Sequence, residues 1–551
     1  MENEALFNYL ERRRGSLKKE RQSFISHYKA LSENIQPRRG RFFVSDRNSG
    51  DRRHNLIINS AGTQALRAAK GGMFSGIMSP TRPWFGLGTP DPGLMEFGPV
   101  SFWLSQVERI MRGVFNQGNL YNMAPVMLEE TILFGTGCML HVDDAKEVAR
   151  FYTQTAGSYF VGQNDRYEVD TLMREFDMQV SGIVSMFGLD KVSQAVNTAY
   201  AKGNYDAWFT IIHMIEPNKE RSMDNPFNTN KPFRSIYYES GNADKKILRE
   251  SGFEEFPAYV PRWGVAGEDV YGTDCPGMVA LGDVKGLQIQ EKRKAQAIDK
   301  SVNPPLKGPA SVRNVPVSSL PGGLTIHDGT NTQEGLGPLY MVNPQIQAMM
   351  EDIDKTERRI GDAFHMDLFL AISNMEGIQP KNQLELSQRN EERLLQLGPV
   401  LEQLHGEFLD SLIDRTFNQL VAANMLPPAP PELEGVDLKV SYISSLAQAQ
   451  RAVATGGIER LVQFVGGMAQ FDPSVLDKVD FDQAIDEYAQ AIHSPPKMVK
   501  SDDVVAAERE QRAQQEQQAQ QIEMAATAAK AAKDGAGAVD TLTPEQEPSN
   551  G

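Results

Sequence analysis

The sequence predicts an α+β fold that is mainly helical, with its strands gathered in one block. Three observations carry this expectation. Runs of β-branched and aromatic residues, bounded by Gly, Asn and Asp, fall in two groups at 139–170 and 208–260. Apolar residues at helical spacing occupy long stretches on both sides of that block. Strands and helices do not alternate along the chain, as a parallel sheet with crossover helices would require.

The first section, residues 4–35, is helical and contains RRRGSLKKER. That run reads either as a solvated helix face or as a patch that touches DNA or an acidic neighbour. NLIINSAGTQALRAAKGGMFSGIM (55–78) reads as an alanine-rich helix ending at Gly71-Gly72 or slightly later. SPTRPWFGL (79–87) then forms a stiff elbow. Pro80 and Pro83 lack an N–H and push the residues before them out of helical conformation. Trp84 and Phe85, beside Arg82, can bury a large area against whatever lies next to the turn. A local structural staple is the simplest role for them.

SFWLSQVERIMRGVFNQ (101–117) has helical apolar spacing, and NLYNMAPVMLEETILFG (119–135) reads as another helix. MREFDMQVSGIVSMFG (173–188) reads as a helix between the two strand groups. GLQIQEKRKAQAIDKS (286–301) is helical and leads into a Pro- and Gly-rich region at 303–324. In NPQIQAMMEDIDKTERRIGDAFHMDLF (344–370), Ile346, Met350, Ile353, Ile360 and Phe364 form one stripe, so this helix should pack along one face. After SNMEGIQPKNQ comes a longer helical pattern, 384–425, with a kink expected at Gly398-Pro399. A proline-rich turn, one strand and the start of another helix complete 426–451. Helical residues continue to about 493. From Asp502 the chain is rich in Ala and Gln without a sustained apolar stripe, and reads as a helix supported by copies of itself or as disordered.

Composition narrows the function classes. The chain has 551 residues, 40% hydrophobic and 23% charged, with a formal charge of −16, which argues against a broad basic face gripping nucleic acid. No apolar run approaches the roughly 18 residues of a membrane helix. The N-terminus lacks the apolar core of a secretory signal, so retention in the producing cell is expected. Cys138 and Cys275 are the only cysteines, too few for a disulfide framework. No phosphate loop, nucleophile elbow or zinc-protease helix occurs. His141 with Asp143 and Asp144 could contribute to a cation site, although a hydrated loop end suits them better. The carboxylates of DFDQAIDEYAQ (480–490) suit a solvated helix face. No catalytic residue, cofactor or metal is expected.

Five stretches resemble one family in the same order. They are SPTRPWFGL, EEFPAYVPRWGVAGEDVYG with ALGDVKGLQ, NPPL, LGPVLEQLHGEFLDSLIDRTFNQL and SYISSLAQAQR. Together they resemble the head-to-tail connector, or portal, proteins of short-tailed bacteriophages (podovirus type), from near the N-terminus to about residue 451. The resemblance implies a homo-oligomeric ring, typically a dodecamer, at the unique capsid vertex, where it is part of the virion after assembly in the host cytoplasm. Double-stranded DNA would pass through its channel during packaging and ejection. The terminase large subunit, tail or adaptor proteins, and capsid and scaffolding proteins would be its partners, with no membrane involved. A helical scaffold or internal virion protein is the alternative.

The resemblance also implies a portal-type division of the chain: a wing and body at 1–278, a first stem helix at 279–301, a clip at 302–343 and a second stem helix at 344–370. A tunnel-loop region follows at 371–390, then a long kinked helix returning to the wing at 391–451. A crown at 452–501 precedes an Ala/Gln-rich helical barrel or disordered tail at 502–551. In that frame Lys285, Lys292, Arg293, Lys294 and Lys300 are candidates to face DNA in the channel. Alternatively they pair with Glu351, Asp352 and Asp354 of the neighbouring stem. Ile346, Met350, Ile353, Ile360 and Phe364 would pack between subunits, and the 79–87 elbow would turn the chain between stem and wing.

Overall fold

The computed structural model describes residues 2–42, 56–91, 93–94, 97–222, 227–308, 313, 337–339, 344–369, 397–433, 435, 438–442, 461–469 and 473–491, with scattered positions between 505 and 517. Its contacts divide the chain into two units: one of 1–90 with 102–453, and one of 91–101 with 454–551.

Strands of the first unit are β1 (Phe85–Gly88), β2 (Cys138–Asp144), β3 (Val148–Gln154), β4 (Tyr159–Gln163), β5 (Val169–Gln179) and β6 (Trp208–Pro217). They continue with β7 (Phe233–Glu239), β8 (Ile247–Phe253), β9 (Ala258–Tyr259), β10 (Leu306–Lys307), β11 (Gly337–Pro338) and β12 (Lys439–Tyr442). A five-stranded antiparallel sheet runs β4-β5-β6-β7-β8, and a three-stranded one runs β3-β2-β9. The α+β, mainly helical expectation therefore holds.

Strand periodicity explains how the large sheet is covered. Alternate residues of β6 point to opposite faces. Ile212 and Met214 meet Phe7, Leu10 and Leu17 of the N-terminal helix Glu2–Asn34. Ile211 faces the two short helices Val180–Phe187 and Gln194–Ala201. Both faces are buried, so β6 reads as a nearly continuous apolar run.

One assignment needs correction here. Residues 173–179 are not helical; they complete β5, pairing from Met173↔Met214 to Gln179↔Trp208. Met173 packs under the N-terminal helix while Phe176 and Met178 pack on the other face. Tertiary burial on two faces overrides the local helical pattern. Only 180–187 is helix, so the two strand groups fuse into one sheet.

The alanine-rich helix spans Ala61–Ile77 and runs straight through Gly71-Gly72. Gly72 has a packing reason: a Cβ there would collide with the Phe369 side chain. Likewise a Cβ at Gly62 would lie 2.9 Å from Val284. This helix thus lies against both Pro276–Val302 and the segment around Phe369. The elbow after it is tightly stapled. Trp84 and Phe85 are buried, Trp84 stacks on Phe115 and donates from Nε1 to the Tyr121 hydroxyl at 3.1 Å. Pro80, Arg82 and Pro83 are exposed. β1, which follows at once, pairs with β12 from the far end of the unit, Phe85↔Tyr442 to Gly88↔Lys439.

Pro276 opens its helix at the first position, where its missing N–H costs nothing. Helix Ile346–Ala363 is shorter than the expected 344–370: the chain turns at Phe364-His365, with His365 at φ 51°, before resuming helix to Phe369. The described part of the long helix covers 397–422. It departs from α geometry in a π turn at His405–Asp410, while the turn before Pro399, where the expected kink would lie, falls outside the described residues. β10 and β11 close the base of the 302–343 insertion. Most of that insertion, the 371–390 region and the final 18 residues lie outside the described residues. In the second unit, residues 461–469 and Phe481–Ala491 are helical.

Candidate assembly and nucleic-acid interface

Helices Pro276–Val302 and Ile346–Ala363 lie side by side. Ala280, Val284 and Leu287 of the first and Ile353, Thr356 and Ile360 of the second are buried. Polar pairs fix their register: Gln290 Nε2 donates to Asp352 at 2.6 Å, and Arg359 Nη2 to Asp283 at 3.0 Å. Asn59 ties in the loop before the alanine-rich helix, donating from Nδ2 to Glu291 at 3.1 Å and to Glu357 at 2.7 Å. Buried Gln288 accepts from the Ile58 and Asn59 backbone N–H groups at 2.7 and 2.8 Å and donates to the Asn59 carbonyl at 2.9 Å.

Four of the five candidate cations, Lys285, Lys292, Arg293 and Lys300, are exposed on this helix. Lys294 instead folds back onto Glu291 at 2.7 Å. Burial opposes ionisation of Glu291, but Lys294 and Asn59 outweigh it and hold its carboxyl below the usual range. The same helix also exposes apolar surface, Val279 at 63% and Ile289 at 52%. Gly282 and Gly286 lie between those two, with open space where their side chains would be. Two glycines inside an exposed helix cost about 1 kcal/mol each relative to alanine.

The predicted stripe on the second helix divides. Ile353, Ile360 and Phe364 are buried within the chain itself. Ile346 is half-buried, and Met350 is exposed at 46%, next to exposed Met349, Glu351, Asp352 and Asp354. One helix therefore offers an apolar and basic face, and the other offers an apolar and acidic end.

RRRGSLKKER takes part in the fold. Arg14 and Lys18 each reach Glu175 of β5 at 2.7 Å, and Arg13 approaches Glu216 of β6 at 3.9 Å. The remaining candidate ligands are also engaged. Buried His141 pairs through Nδ1 with the Tyr259 hydroxyl at 2.5 Å, Asp143 lies 3.3 Å from Arg415, and Asp144 accepts the Lys146 and Glu147 N–H groups. Among the described residues no group of three or more His, Cys, Asp or Glu side chains is placed to hold a metal ion. In the 480–490 stretch, Asp480 accepts the N–H groups of Asp482 and Gln483 at the start of the helix.

Sequence reasoning missed the hub at Arg262, in the YVPRWG motif. Its side chain is buried. Nε donates to Glu407 at 2.8 Å, Nη2 contacts the same carboxylate, and the Arg262 backbone N–H donates to its other oxygen at 2.8 Å. Nη2 also reaches the Tyr167 carbonyl at 2.9 Å. Glu407 stands in the π turn, so Arg262 links that turn to the strand block. An arginine inside an otherwise apolar run was the available signal. A second missed feature is the Glu129-Glu130 pair. Lys70, Arg39 and Gln36 surround Glu129 at 2.9, 2.8 and 3.0 Å. Glu130 is fully buried, and burial raises its pKa to about 7 despite bonds from Thr155 and Ala156.

The family of bacteriophage head to tail connecting proteins matches residues 8–499. The "Portal protein" of Salmonella phage epsilon15 is 45% identical over 496 residues, covering 90% of this chain and 89% of that protein. The "Probable portal protein" of Bordetella phage BPP-1 is 43% identical over 499 residues, again covering 90% of this chain and 89% of the relative.

Proposed function

This chain belongs to the bacteriophage head to tail connecting proteins, and on that premise we propose that it is the portal: a ring at the unique capsid vertex, the conduit for DNA in packaging and ejection. Near-complete coverage by a portal protein at 45% identity carries this reading. The ring is a dodecamer, assembled in the host cytoplasm and retained in the virion. The terminase large subunit docks on it during packaging and tail or adaptor proteins bind later, while capsid and scaffolding proteins surround it. Helices 276–302 and 346–363 serve as the stem, the insertion between them as the clip, 371–390 as the tunnel loop and 452–501 as the crown.

Closed rings use heterologous interfaces, in which one surface meets a different surface of the next copy. The two stem helices supply such a pair of surfaces. The Val279–Ile289 face, where Gly282 and Gly286 permit close approach, receives Met350 and the acidic residues beside it from the neighbouring subunit. Lys292, Arg293 and Lys300, farther along the helix, are then left to guide phosphates. On a chain of net charge −16 such cations are sparse, which suits DNA that must slide rather than stick. Sedimentation velocity of the purified protein tests the reading. A single discrete species of about twelve subunits is expected, and a monomer at all concentrations would overturn it.

A further inference from the structure

A cavity of about 280 Å³ opens between the N-terminal helix and the β4–β5 face of the large sheet, with Lys18, Arg21, Arg41, Ser158, Glu175 and Asp177 in its lining. Its volume is several times the roughly 30 Å³ that one water occupies in the liquid. Held against the turn at 155–158, the segment around Arg41 walls one side. The Arg41 N–H donates to the Ala156 carbonyl at 2.7 Å, and Gly157, at φ 96°, leaves room for the Arg41 carbonyl.

Arg21 is the unusual member. It is only 6% exposed, and its guanidinium lies 3.8 Å over the Phe160 ring. Nη1 donates to the Tyr159 carbonyl at 2.9 Å, while Nε has no partner among the described residues. Arginine stays charged when buried, and a buried cation is costly unless an anion matches it. The two carboxylates of the cavity are already engaged. Glu175 is held by Arg14 and Lys18, and Asp177 by Arg41 at 3.0 Å and the Thr210 hydroxyl at 2.9 Å. Lys18 and Arg41 thus each have a carboxylate, and Arg21 is the lining cation that none pairs with.

We propose that this cavity is an oxyanion site, taking a phosphate or carboxylate group against Arg21, with Lys18 and Arg41 at its rim. Charge-assisted bonds from a guanidinium are roughly twice as strong as neutral ones and match the geometry of phosphate and carboxylate oxygens. The site is separate from the assembly surface of the stem helices and does not depend on the portal reading.

Thermal unfolding of the full-length protein, titrated with inorganic phosphate at constant ionic strength held by chloride, tests it. A saturable rise in the midpoint is expected for the wild type and lost in Arg21→Met. Lys18→Met, at a half-exposed position, keeps the test valid if Arg21→Met fails to fold, and should weaken the response. A parallel titration with acetate separates the sources: a saturable rise with acetate as well assigns the site to carboxylates too. If phosphate and acetate act no differently from chloride, or if Lys18→Met responds as the wild type does, the proposal is overturned.

Discussion

Arg262 and Glu407 show how much a single buried pair can hold. Removing one partner of a buried ion pair leaves the other charge unmatched and costs about 3–5 kcal/mol. Arg262→Met should therefore lower the thermal midpoint sharply and loosen the π turn, seen as faster amide exchange over 405–410. An unchanged midpoint would mean that the link carries little. Glu130 sets a pH dependence. Burial raises its folded-state pKa to about 7, above its ordinary range, so the folded protein binds a proton that the unfolded chain releases. Its contribution is fully present below the ordinary carboxylate range and is lost as pH rises through about 7. Buried His141 and His213 act oppositely. Burial lowers the pKa of each, so their penalty arises on acidification below the ordinary histidine range. From the ordinary carboxylate range up to about pH 7 the Glu130 effect lowers stability as pH rises, so in Glu130→Gln the midpoint should climb more steeply with pH over that interval than in the unsubstituted protein. Equal slopes in the two proteins would assign the dependence elsewhere.

At the scale of elements, the residues of helices 276–302 and 346–363 make opposite predictions according to where they lie. Ile353 is buried within its own chain, so Ile353→Asp should cost about 3 kcal/mol or more and impair folding as well as assembly. Ile289 is exposed, so Ile289→Asp should leave monomer stability within about 0.5 kcal/mol. It should nevertheless abolish the large species in sedimentation; retention of that species would remove Ile289 from the interface. Replacing Lys292, Arg293 and Lys300 with glutamine should leave rings intact and impair DNA packaging. A loss of rings instead would mean that these cations pair with the neighbouring stem. Periodicity made the helices legible in the sequence, because a stripe of apolar residues has one helical solution. It failed at 173–179, where burial on both sides of a sheet decides the conformation. It also failed to divide the 346–364 stripe, because residues buried in the chain and residues left for a neighbour look alike in one dimension. The Arg21 cavity and the Arg262 hub were invisible for a related reason: each joins residues more than a hundred positions apart.

For the whole molecule, the family and the α+β class were legible from ordered motifs, while the arrangement of copies lies beyond any single chain. Three of the motifs have a structural reason in the first unit. The elbow buries Trp84 and Phe85, YVPRWG supplies Arg262, and ALGDVKGLQ presents Gly282 and Gly286 on an exposed helix face. The proposed interface of helices 276–302 and 346–363 would place the assembly surfaces before residue 451, so deleting 502–551 should leave assembly intact. Electron microscopy of the purified full-length protein, with that truncation beside it, tests the central claim most directly. Closed rings with a central hole, in both proteins, are the predicted result; monomers, open filaments or solid particles from the full-length chain would contradict it.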